Sequence, residues 1–159
     1  MLSPMSKRKP YPERTDIEKV QSQWKKLSGL HSREEWSGAV VRAATAAEIA
    51  TNFAIRKEFE SRGQLDATFV DSLLLWANGL EGKVNRLLLP LCVGSKKHKT
   101  IKKLKKTAQK VNKERNAIVH KGEFKGKDEA SAAIRLTRQF VEDLVGLYEP
   151  GFKLKGKTF

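Results

Sequence analysis

The sequence is poor in cysteine, aromatic residues, carboxylates and long apolar runs, and each shortage excludes something. Cys92 is the single cysteine among 159 residues. A disulfide framework and a thiolate metal site are therefore ruled out, and a reducing, cytoplasmic compartment is expected. No stretch approaches the roughly 18 apolar residues that read as a membrane span, and the basic residues near Met1 are not followed by the apolar core of a secretory signal. Aromatic residues make up 8% of the chain and nowhere form an alternating stacking platform. An RNA-recognition sheet or an oligonucleotide-binding barrel is thus unsupported. There is no β-alternating run of useful length, no phosphate-binding glycine loop and no Ser-centred elbow. Spaced carboxylates are missing, and His31, His98 and His120 do not form a ligand motif, so neither a metal nor a cofactor is expected.

Positive charge is abundant. The chain carries 32 Lys and Arg against 18 Asp and Glu, a formal charge of +14, which suits a polyanionic partner. The apolar residues recur at helical spacing. Thr15 and Glu18 form a capping box for a first helix over Thr15 to Leu27, and Ser28 to His31 is expected to turn the chain. Ser32, with Glu35 three residues on, would cap a long second helix that stops at Gly63. Its alanine-rich face, from Val40 and Ala43 to Ala54, implies close approach by other helices. A third helix over Asp66 to Asn78 would bury Phe69, Leu73 and Trp76. Val84 to Cys92 is apolar on nearly every side, with Pro90 marking a kink or an end, and Leu87 to Leu91 is either core or a partner surface. A basic helix opens near His98, and a last one opens at Asp128. The expected fold is all-α: an up-and-down bundle of four to five helices over residues 15–150, with a flexible basic arm at 1–14 and a short basic tail at 151–159.

The basic helix holds the most informative residues. Ile101, Leu104, Ala108, Val111 and Ile118 make its apolar stripe, and Arg115 stands where the stripe calls for another Leu or Ile. A guanidinium on a buried face must be paired or hydrogen-bonded. Asn116 and His120 are four residues apart and share the flank beside it, and Gly122 supplies a left-handed stop. Glu48 is a second polar intruder, on the second helix, and is the candidate ion-pair partner for Arg115. Lys96, Lys97, Lys102, Lys103, Lys106, Lys110 and Lys113 line the approach to Arg115 and form a candidate phosphate-tracking surface for RNA.

These residue types fit metal-independent RNA cleavage, in which a ribose 2′-hydroxyl attacks its own phosphate. An imidazole can move the proton, and a preoriented guanidinium can stabilise the phosphorane. One helix provides one imidazole, so a symmetric dimer would supply the second.

The stretch Arg115-Asn116-Ala117-Ile118-Val119-His120 resembles the Arg–four-to-six-residues–His signature of the HEPN superfamily, in its form with Asn directly after Arg. The resemblance implies an all-α bundle with the motif near a helix end. It also implies a metal-independent ribonuclease of toxin or antiviral-defence type, acting as a homodimer with paired motifs. Arg115, Asn116 and His120 would be its active-site set, with Glu48 as support for the arginine. Lys121-Gly122-Glu123 stands where one toxin subgroup carries a Tyr. Two alternatives accompany this reading. One is a non-catalytic module of the same fold whose basic helices bind RNA or DNA. The other is a protein-interaction bundle or antitoxin-like regulator whose Leu87–Leu91 patch docks a partner, and an antitoxin or regulatory protein is a candidate partner.

Overall fold

A computed structural model describes residues 7–63 and 65–159. The chain is an all-α, up-and-down bundle, and no strand occurs among the described residues. A 3-10 turn (Tyr11–Glu13) precedes α1 (Asp16–Ser32), α2 (Trp36–Arg62) and α3 (Ala67–Trp76). A composite helix, α4, covers residues 80–91, and α5 (His98–Lys121) and α6 (Lys127–Gly146) complete the bundle. The six helical segments exceed the expected four to five because α3 and α4 are separate, split at Gly79.

Local chemistry accounts for most of the ends. The Thr15 hydroxyl accepts the Glu18 amide at the start of α1, and the Asp66 carboxylate accepts the Phe69 amide at the start of α3. Gly63 (φ 59°) and Gly122 (φ 68°) close α2 and α5 in the left-handed region. Ser32 does not cap α2. It is the last residue of α1, where its hydroxyl donates to the Ser28 carbonyl, and Glu35 occupies the cap of α2. The first helix therefore continues through the expected turn at Ser28 to His31. Within α4, a π-helical turn over Lys83–Leu88 sends the Leu89 amide back to the Val84 carbonyl. Pro90 follows immediately. It has no N–H to give, and the wider turn relieves the clash its ring would make with a carbonyl one α-turn back.

The core is organised by α2, which touches every other helix. Ala39, Ala43, Ala46, Ala47, Ala50 and Ala54 are all buried. These methyl-sized side chains let the backbones of neighbouring helices approach closely, and Trp24, Leu27, Phe140 and Leu144 fill the space around them. The α3 expectation is corrected. Val70 and Leu74 face the core, while Phe69, Leu75 and Trp76 are exposed, the last two at 81% and 80%. This helix packs on the edge of α2 rather than in the centre. Of the two readings of Leu87–Leu91, core or partner surface, the core is the better description: Leu88 is buried, and Leu87, Leu89 and Leu91 are partly buried against the core.

Both flanking segments extend the bundle beyond 15–150. Tyr11 and Arg14 bond Gln23 and Ser22 of α1, and Leu154 of the tail is buried in the core. The first six residues of the expected flexible arm lie outside the described residues.

One buried carboxylate ties three segments together. Glu58, 3% exposed on α2, accepts hydrogen bonds from the Tyr148 hydroxyl (2.7 Å) and the Cys92 thiol (3.4 Å). It also pairs with Lys97 and Arg62, each at 2.8 Å. Burial pushes its carboxyl up, but Lys97, Tyr148, Arg62 and Cys92 together outweigh burial and hold it at about 2. The same burial, with the nearby carboxylate, pushes the Cys92 thiol up to about 11, so it is unreactive. A carboxyl depressed in the folded state contributes stability that is complete above its ordinary value near 4.5 and is lost as pH falls toward about 2. Urea unfolding across this window should show stability declining with acid in the native protein. Glu58→Gln should be less stable at neutral pH and flatter below pH 4.5, whereas parallel profiles would contradict this role.

Candidate functional site

The end of α5 brings together the residues that the motif singled out. Arg115 is half-buried, and its Nη1 donates to Asn116 Oδ1 at 3.1 Å and lies 3.3 Å from His120 Nε2. A guanidinium has donors only, so in a hydrogen bond between the two groups Nε2 is the acceptor. His120 is exposed, and the Nε2 lone pair lies at the surface under a fixed positive charge. The loop after α5 is pinned beside this cluster. The Lys125 amide donates to Ser37 Oγ at 2.9 Å, and its ammonium pairs with Glu114 at 2.8 Å, with Glu123 and Glu129 farther off. The Glu114 hydrogen bond, chiefly, raises the Lys125 pKa and keeps the clamp charged.

Glu48 is not the ion-pair partner of Arg115. Its Oε1 accepts from Lys83 Nζ at 2.8 Å and from the Gly79 amide at 3.1 Å. Lys83 is 3% exposed and occupies an apolar position of α4, so it is the cation whose desolvation demands a carboxylate. Arg115 meets its own need through Asn116 and His120. Glu48 and Arg115 nevertheless line one cavity of about 350 Å³, together with Thr45, Asn78, Gly79 and Asn112. Lys83 was missed by sequence reasoning, although it is an intruder in the Leu80–Val84–Leu88 stripe just as Arg115 is in its own.

The lysines divide into two groups. Lys102, Lys103, Lys106, Lys110 and Lys113 are exposed on the outer face of α5, and none has a carboxylate partner among the described residues. Lys102 and His120 lie on one meridian of the helix, about five turns or roughly 27 Å apart. Lys96 is exposed in the preceding turn. Lys97 is withdrawn from the candidate RNA surface, because it is bound to Glu58 and sits 4.6 Å from the Tyr148 ring centre. One apolar side chain shortly after His120 in the chain was also missed: Phe124, at 91% exposure on the pinned loop. A lone Phe in a short polar connection gave no periodic signal.

Among the described residues, no group of three or more His, Cys, Asp or Glu could hold a metal ion, and no helix is long and apolar enough to cross a membrane. No protein-family profile, curated protein or solved structure matches the chain.

The division of labour between Glu48 and Arg115 is testable by unfolding. Glu48→Ala strands Lys83 and should cost about 1–3 kcal/mol, less than for a fully buried pair because Glu48 is one-third exposed. Arg115→Ala should stay within about 0.5 kcal/mol of wild type. Equal losses in the two variants would contradict the assignment.

Proposed function

We propose that this protein binds single-stranded RNA along the outer face of α5 and delivers it to the cluster of Arg115, Asn116 and His120. The unopposed lysine stripe leading up one helix to a guanidinium–imidazole pair carries this reading. A strand laid on Lys102, Lys106 and Lys113 gains affinity by counterion release, which is indifferent to sequence. Phe124, exposed and four residues past His120 in the chain, offers a stacking face. The likeness of residues 115–120 to the HEPN motif supports the same surface. Replacing Lys102, Lys106 and Lys113 together by Gln should weaken binding of a labelled oligonucleotide. It should also lower the slope of log affinity against log salt by about two. An unchanged affinity and slope would refute the interface.

A second reading is favoured by one observation, the 3.3 Å approach of Arg115 Nη1 to His120 Nε2. On this reading the bundle is a metal-independent endoribonuclease. As the scissile phosphate draws the Arg115 guanidinium off Nε2, the freed lone pair takes the proton of a ribose 2′-hydroxyl, O2′ bonds to phosphorus, and Arg115 neutralises the phosphorane oxygens. The bond to O5′ then breaks, leaving a 2′,3′-cyclic phosphate. The leaving oxygen needs its own proton donor, which a second copy of His120 would supply in a homodimer.

The exposed α3 face suits such pairing. No Lys or Arg lies between Arg62 and Lys83, so in a chain of charge +14 the face of Phe69, Leu75 and Trp76 meets little repulsion from its own copy. Asn78 and Gly79, just beyond α3, line the Arg115 cavity. Incubation with RNA in chelator should give cyclic-phosphate ends, with a rate loss of about 100-fold or more in His120→Ala. Trp76→Glu should yield a monomer without cleavage. RNA that stays intact while binding persists would overturn the nuclease reading and leave the binding module. A wild-type monomer would assign the α3 face to a different protein, such as a regulatory or antitoxin partner.

A further inference from the structure

A second strongly basic surface lies away from α5, where the segment before α1 and the segment after α6 both border α1. A cavity of about 840 Å³ runs between the N-terminal segment, α1 and the C-terminal tail. Its walls carry Arg8 and Lys9 on one side, Lys25 in the middle, and Lys153, Lys155 and Lys157 on the other. A second cavity of about 570 Å³ shares Arg8, Arg14, Ser22 and Lys25 with the first and continues past Lys26 to Arg33 and Arg42. Among the described residues, one carboxylate, Glu18, lines the pair of cavities, and it lies 4.0 Å from Lys9.

The groove is assembled by specific bonds. Arg14 donates to Ser22 Oγ and to the Lys9 carbonyl, both at 2.9 Å. The Gln21 side-chain amide pairs with both main-chain groups of Lys155, at 2.9 and 3.0 Å. Arg138 holds the Leu154 and Lys157 carbonyls. The basic termini are thus fixed against one helix even though their charges repel, and repulsion of this kind is relieved by a polyanion. Ser22, Ser28 and Gly29 make a floor of small side chains on α1. From Arg14 to Arg33 the groove follows this helix for about 28 Å. That length fits a chain of phosphates rather than one phosphate, and the concave shape turns the cations inward, away from any flat membrane surface.

From this geometry we infer that the α1 groove is a second phosphodiester-binding site, taking a single strand of RNA independently of α5. The inference goes beyond the proposed function, and the two sites can fail separately. The test titrates the full chain with a labelled RNA hexanucleotide, comparing wild type with the exposed-residue variant Lys25→Gln/Lys155→Gln and with the α5 variant Lys102→Gln/Lys106→Gln/Lys113→Gln. Wild type should bind two hexanucleotides per chain, the groove variant should weaken one of the two and lower that site's salt slope by about 1.4, and the α5 variant should weaken the other. One strand per chain in wild type, lost in the α5 variant and untouched in the groove variant, would overturn the inference while leaving the α5 reading intact. Loss only in the groove variant would support the inference and sink the α5 reading. Displacement of RNA from the groove by polyglutamate of equal charge at equal concentration would overturn the assignment to a phosphodiester strand.

Discussion

Everything in this bundle depends on the close contact that α2 permits. Its buried alanines hold the surrounding helices near enough for short polar side chains to bridge them. Glu58 can reach Lys97, Tyr148 and Cys92 at once, and Glu48 can reach Lys83 and the Gly79 amide. Larger residues along α2 would separate these groups and leave buried charges unpaired, at a cost of several kcal/mol each.

With the helices so close, the scarcity of carboxylates acquires a structural meaning. The chain has 18 acidic residues for 32 basic ones, and several of the acids are committed where a cation is buried or a loop must be held. Glu48 serves Lys83, Glu58 serves Lys97 and Arg62, Glu114 serves Lys125, and Glu142 serves Arg138. Few remain to neutralise the outer face of α5, and of the α1 groove's cations Lys9, Arg33 and Lys153 have carboxylate partners while Arg8, Lys25 and Lys155 have none among the described residues. Unopposed positive charge therefore collects on two surfaces instead of being spread evenly, and electrostatic attraction of a polyanion is strongest at those places.

Much of this was legible in the residues, for identifiable reasons. Apolar spacing marks α2, α5 and α6 because each buries a full stripe. The glycines at 63 and 122 mark two helix ends because few other residues take a positive φ there. The cluster of Arg115, Asn116 and His120 was visible because all three lie on one helix, within reach of one another. Glu48 was misassigned because its partner depends on which helix lies alongside, and nothing local distinguishes Lys83 from Arg115. The α3 face failed for a related reason: Phe69 and Trp76 have helical spacing, yet Val70 and Leu74, on the adjacent stripe, are the residues turned inward. The α1 groove could not be read at all, since it joins residues more than a hundred positions apart through Gln21 and Lys155.

The central claim is that RNA lies along α5 and reaches His120. Its most direct test is an NMR titration with a single-stranded oligonucleotide, following backbone amides and the His120 ring nitrogens. Progressive shifts are expected along the outer face from Lys102 to Lys113, together with a change at His120 Nε2 as strand contacts enter the cluster. Saturating binding that leaves α5 and His120 unshifted would contradict it.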